Sequence, residues 1–182
     1  MQPENSVDSA PLASAPCSAE DVAAIVREQK WLQDASCPAL ELWLAGAAAL
    51  LAPHALHRAA LADLLRLIFE YDARRILQSP ESHAVLAREG AREVLRSLAH
   101  LVLDGPEITS DRYKEIIASL KKSLGYRGRE LFYPIRLALA GRAGEGELDR
   151  VILLLDSAAA LPFVVPVKGT HRRMLEFCSA LD

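Results

Sequence analysis

Apolar residues recur at i, i+3, i+4 and i+7 in segment after segment of this chain, and no other feature constrains its fold as much. Leu61, Leu64, Leu65 and Ile68 follow that spacing, as do Tyr113, Ile116, Ile117 and Leu120, and again Leu148, Val151, Ile152 and Leu155. A helix of 3.6 residues per turn gathers such residues onto one face. Val94, Leu95, Leu98, Leu101 and Val102 make a fourth stripe, and Met174, Leu175, Cys178 and Leu181 a fifth. Each stripe requires a second helix to cover it, so the expected fold is all-α, a helical bundle in two sub-lobes. With 51% hydrophobic residues in 182, the chain has enough apolar side chain for a real core, which excludes disorder of the whole.

The punctuation divides the chain accordingly. Residues 1–17 are acidic and rich in Ser, Ala and Pro, lack the basic start and apolar centre of a secretory signal, and are expected to form a disordered tail. Residues 18–70, with Trp31 and Trp43, form the expected N-terminal helical lobe and 71–182 the second, joined near Glu70 to Asp72. Ser18 with Asp21 three residues on opens a helix, Pro38 and Pro53 suit first turns, and Ser79-Pro80-Glu81 opens another. Asp104-Gly105-Pro106 is a stop, after which Ser110 or Asp111 caps a helix ending near Gly125. Leu161 to Val167, with two prolines among β-branched residues, reads as a packed extended arm with at most a short strand. The most apolar run, Leu40 to Leu56, is broken by Glu41, Pro53 and His54 and is shorter than the roughly 20 residues of a membrane span. The expectation is a soluble, cytoplasmic protein.

Several chemistries lack their residues. There is no Gly-rich phosphate loop, no Gly-x-Ser-x-Gly elbow and no His-Glu-x-x-His motif. His54 and His57 could share a helix face, but nothing at ligand spacing accompanies them, so no metal and no cofactor are expected. Cys17, Cys37 and Cys178 are too few and too widely spaced for a disulfide framework. Glu41, Glu70, Asp72 and Glu93 read as solvated helix positions, no catalytic residue is nominated, and the chain is expected not to be an enzyme.

Charge is unevenly distributed. From Lys121 to Arg142 six basic residues (Lys121, Lys122, Arg127, Arg129, Arg136, Arg142) face one acid, Glu130, a balance of +5 in a chain of net charge -3. Tyr126, Phe132 and Tyr133 are interleaved with them. Basic side chains hold phosphates and aromatic rings stack splayed bases, which makes Lys121, Lys122, Tyr126, Arg127, Arg129, Tyr133, Arg136 and Arg142 the candidate RNA-binding residues. A solvated basic rim, with Phe132 and Tyr133 in the core, accounts for the same residues equally well. Arg136, between apolar neighbours, suits a structural role within the bundle better than RNA contact, and Lys121 and Lys122 suit the C-terminal end of a helix.

The order of residues is more specific. Pro134-Ile135-Arg136-Leu137-Ala138-Leu139-Ala140-Gly141, preceded by the glycine-basic stretch Gly125-Tyr126-Arg127-Gly128-Arg129 and followed by Glu147-Leu148 and Leu154-Leu155, resembles the C-terminal anticodon-binding region of bacterial-type glutamyl-tRNA synthetases. Tyr71-Asp72-Ala73 resembles the entry into that region, and the likeness covers roughly Leu61 to Leu155. The chain departs from the family pattern at Ala140 (usually Thr), at Glu145-Gly146 (usually Gly-Pro) and at Asp156 (usually Gly). Pro134 is expected at the first turn of a short helix that Gly141 closes, leaving Arg127, Arg129 and Arg142 in flanking loops.

The resemblance implies tRNA as the partner, with tRNA-Glu the family's own, and does not say which tRNA this chain takes. The family's catalytic signatures, of the His-Ile-Gly-His and Lys-Met-Ser-Lys-Ser types, are absent from this sequence. The expected role is therefore a stand-alone, non-catalytic tRNA-binding module that positions tRNA for a separate enzyme, such as a synthetase-like catalytic chain. The alternative is a protein-interaction scaffold that kept the helical fold and lost RNA binding, docking through the Ala-rich helix around Trp43 to Leu51.

Overall fold

The computed structural model describes residues 17–33 and 37–181, so the expected tail lies outside the described residues as far as residue 16. The described residues form ten α-helices and no strand: α1 (Ala19–Glu28), α2 (Pro38–Leu51), α3 (Arg58–Phe69), α4 (Ala73–Leu77), α5 (Pro80–Leu86), α6 (Ala91–Leu103), α7 (Ser110–Leu124), α8 (Gly128–Ala140), α9 (Glu147–Ala159) and α10 (Thr170–Leu181). This is the all-α bundle that the stripes require. α1 starts at a capping box in which the Ser18 hydroxyl accepts from the Asp21 amide and the Asp21 carboxylate accepts from the Ser18 amide. Gly125 and Gly141 close α7 and α8 in the left-handed region, with φ of 77° and 84°. The stripes on α3, α7 and α9 are buried as spaced, and their side chains join those of α1 and α2 in one continuous hydrophobic cluster.

The N-terminal helices are pinned by four aromatic rings. Trp31 stacks on Phe69 at 4.4 Å, and Phe163 meets Phe69 and Trp43 edge-on at 4.9 and 5.2 Å. Phe163 belongs to the extended arm, which carries no strand: Val164 N–H donates to the Trp31 carbonyl at 2.8 Å, and Val167 is buried. The Trp43 indole N–H donates to the Leu154 carbonyl, tying α2 to α9.

Three local expectations are corrected, at Pro134, at the cap of α7 and at the two histidines. Pro134 does not open a helix; α8 begins six residues earlier and Pro134 lies inside it. The extension buries Leu131 completely, and the carbonyl that loses its donor belongs to the exposed Glu130, where water can replace it. Pro53 falls in a first turn as expected, that of a 3-10 turn, Ala52–His54, following α2. The cap of α7 is Thr109, whose hydroxyl accepts from Arg112 N–H, and Ser110 is the first helical residue. His54 and His57 share no helix, because His57 caps α3 by accepting from Ala60 N–H at Nδ1. α9 runs on to Ala159. Asp156 thereby sits within it and accepts from Thr170 N–H (2.6 Å), Ile108 N–H (2.7 Å) and the Thr170 hydroxyl (2.8 Å), holding the start of α10 against the loop before α7.

α10 differs most from its expected stripe. Its buried residues are Thr170, Arg173, Met174 and Phe177, while Leu175 is 43% exposed. Arg173 is fully buried and, among the described residues, has no carboxylate partner. Its guanidinium lies 4.4 Å from the Tyr71 ring centroid and donates to the carbonyls of Lys168 (2.8 Å), Leu139 (2.8 Å), Leu67 (3.0 Å) and Ile68 (2.7 Å). Leu67 and Ile68 end α3 and Leu139 ends α8, so two helix C-termini direct their unpaired carbonyls and negative dipole ends at one cation. Burial pushes the Arg173 pKa down to about 10, which still leaves it charged at neutral pH. The Tyr71 hydroxyl donates to the Ala138 carbonyl at 2.6 Å, closing the same junction.

Candidate nucleic-acid interface

The basic segment straddles one helix, and that geometry splits it. Lys121 and Lys122 lie exposed in the last turn of α7, Arg127 is the N-cap of α8, and Arg129 occupies its first turn. Arg142 follows the C-terminal Gly141, so the 13 residues of α8 put it about 20 Å from Arg127. There it lines a groove of about 1000 Å³ with Arg75, Tyr71 and Lys168. Arg127 is in the loop before α8, as expected, where it is the cap, whereas Arg129 is not in a loop but in the first turn of a helix longer than expected.

Tyr133 is the centre of the α8 corner. It is half-buried, with the guanidiniums of Arg129 and Arg88 lying 5.7 and 5.4 Å from its ring centroid. Its hydroxyl donates to the Glu145 carboxylate at 3.4 Å, and Arg129 comes within 3.7 Å of the same group. Lys121 lies 5.4 Å over the Phe132 ring. Such cation-aromatic contacts hold long side chains in place while leaving their charge at the surface. Arg88, just before α6, was missed by sequence reasoning, because its proximity to Tyr133 exists only once α5, α6 and α8 pack together.

Tyr126 is half-buried and committed to the bundle. Its ring lies on Gly90, where any Cβ would collide with it, and Gly90 also takes φ 78°. Its hydroxyl donates to the Glu93 carboxylate at 3.3 Å. The contact locks the end of α7 against the start of α6, which brings Arg88 beside Arg129.

Arg136 is an anchor inside the bundle. It is 7% exposed; Nε and Nη2 each donate to the Asp149 carboxylate at 2.8 Å, Nη1 donates to the Gly144 carbonyl, and the group lies 4.7 Å over Phe132. The Tyr113 hydroxyl donates to Asp149 at 2.8 Å, and burial against that carboxylate pushes the phenol pKa well up. This bidentate pair ties α7, α8 and α9 together. Arg136→Ala is expected to cost about 2–3 kcal/mol, since Asp149 loses its paired charge in a half-buried site. Thermal unfolding should register a drop of roughly 5–10 °C, with Arg136→Lys recovering part of it. An unchanged melting temperature would show that the pair is not holding the three helices.

Among the described residues no group of His, Cys, Asp or Glu is placed to hold a metal ion, and no helix is long and apolar enough to cross a membrane. The three cysteines are half-buried and not joined in disulfides.

Comparison with known proteins places this arrangement in a family. The sequence profile described as "Anticodon binding domain" matches residues 20–161. Among similar proteins, glutamate--tRNA ligase 2 of Syntrophus aciditrophicus is 37% identical over 75 residues, which is 41% of this chain and 15% of that protein. The glutamate--tRNA ligase of Bacillus subtilis is 32% identical over 100 residues (55% of this chain, 21% of that protein), and that of Bacillus licheniformis 34% over 103 residues (57% and 21%). The chain thus spans about a fifth or less of the length of these relatives. No solved structure matches. The profile covers well over half of the chain and includes the basic-aromatic corner and its supports, so the chain belongs to the anticodon binding domain family.

Proposed function

We propose that the chain is a stand-alone, non-catalytic tRNA-binding module, which positions tRNA for a separate synthetase-like enzyme, and that the corner of Arg127, Arg129, Lys121, Lys122 and Tyr133 is its contact. One observation carries this reading. Arg127 and Arg129 stand at the N-terminal, positive end of α8, where the helix dipole disfavours a cation by roughly 0.3–1 kcal/mol each. Stability alone favours acids there, and Glu130 is the one acid of that turn against the two arginines; an approaching phosphate reverses the sign for them. The same helix end then offers its free amides to the anion along with both guanidiniums. Tyr133, fixed beneath Arg129 and Arg88, supplies a ring edge on which an unstacked base can rest. Arg142, on the far groove, serves as a separate contact, and Arg136 and Tyr126 act by holding the corner in shape.

The test is titration of the protein with tRNA at low and physiological salt. Binding that weakens steeply with salt, by a log-log slope of several units, is the expected result. Absence of binding at low salt would overturn the reading. The relatives named above are ligases, and the family match reaches only the anticodon-binding part. The isolated chain is accordingly expected to give no amino-acid-dependent pyrophosphate exchange, and exchange that persists after contaminating synthetases are removed would refute the non-catalytic role.

A further inference from the structure

We propose that the RNA site extends along α6 as a phosphate track formed by Arg88, Arg92 and Arg96; this rests on the tRNA-binding reading above and widens its footprint. Arg92 and Arg96, at i and i+4, lie on one face of α6 about 6 Å apart along its axis, and Arg88 precedes the helix, before its cap Gly90. All three are exposed. The track is joined to the α8 corner, because Arg88 and Arg129 lie over the same Tyr133 ring.

The state of these charges sets them apart from the arginines that are tied to carboxylates. Arg58 is paired with Glu28 and Asp21, Arg66 with Asp63, Arg136 with Asp149 and Arg172 with Glu176. Among the described residues, Arg88, Arg92, Arg96 and the neighbouring Arg127 make no ion pair. Glu89 and Glu93 line the same surface depression as the three arginines without pairing with them, leaving it a net charge of +1 (three arginines less two glutamates), and Glu93 accepts the Tyr126 hydroxyl. His100, one further step along the same face, lies 3.9 Å from Asp104 and marks where the uncompensated charge stops. Exposed guanidiniums free of carboxylate partners along one surface suit the phosphates of one nucleic-acid strand, with each planar fork able to take two phosphate oxygens.

The experiment compares three proteins by tRNA titration across salt: the full chain, Arg92→Gln with Arg96→Gln, and Arg27→Gln with Lys30→Gln. The last pair removes two exposed charges from the end of α1, which packs on α2 and α3 away from the track. The α6 variant is expected to bind about tenfold more weakly at low salt with a slope flatter by roughly 1.4–1.8, while its melting temperature is unchanged. The α1 variant should match the full chain. If the α6 variant binds as the full chain does while the full chain binds tRNA, the track is wrong and the α8 corner stands. Equal losses in both variants would mean diffuse charge attraction and overturn the track, as would binding of poly-glutamate as tight as that of tRNA, which would assign the stripe to an acidic protein. If the full chain binds no tRNA, the proposed function falls and the track with it.

Discussion

Replacing Arg173 by methionine is expected to lower the free energy of unfolding by about 4 kcal/mol and the melting temperature by roughly 8–16 °C. Methionine fills a similar length of space, so the loss comes from polar groups left unpaired. Four carbonyls, from Leu67, Ile68, Leu139 and Lys168, lose their donor, and the first three lie at helix ends that have no other intrahelical partner. Each such loss costs about 1–3 kcal/mol in isolation, and relief of the buried charge offsets part of the sum. Arg173→Lys should fall between the two, because one ammonium cannot span the carbonyls that a planar guanidinium reaches together. A methionine variant melting within about 3 °C of the parent chain would show that the junction of α3, α8 and α10 is held by packing alone.

Reversing both charges at the start of α8, Arg127→Glu with Arg129→Glu, is expected to weaken tRNA binding by two to three orders of magnitude. The double reversal changes the local charge by four units at the proposed contact, and each lost phosphate partner also flattens the log-log salt dependence by roughly 0.7–0.9. The fold should not suffer. Neither side chain caps the helix, and glutamates in a first turn are favoured by the dipole that the arginines oppose. Melting temperature and affinity are therefore expected to separate, the first unchanged or slightly raised while the second collapses. Unchanged affinity in this variant would remove the α8 corner from the interface, whereas a collapse of both would mean that the arginines are structural.

Much of this molecule was legible without coordinates, and for a common reason. The stripes of α3, α7 and α9, the capping box at Ser18 and the left-handed closures at Gly125 and Gly141 depend on residues within one or two turns of each other. Helix periodicity and capping are short-range physics, so sequence spacing expresses them directly. The bidentate role of Arg136 was half legible: its apolar neighbours implied burial, but Asp149 lies thirteen residues on in another helix, and nothing local selects it from the other acids.

The sequence by itself thus determined that the chain is a set of capped amphipathic helices, with a concentration of positive charge between Lys121 and Arg142. Tertiary structure decided how that charge is used. It divided the basic segment between the two ends of α8 and brought Arg88 onto Tyr133. It also extended α8 through Pro134, because burying Leu131 outweighs one missing hydrogen bond to an exposed carbonyl. Above all it turned Arg173 inward. An arginine in an amphipathic stripe reads as a surface residue, and only the convergence of two helix C-termini, more than thirty residues away along the chain in each case, supplies the carbonyls that let its charge leave water.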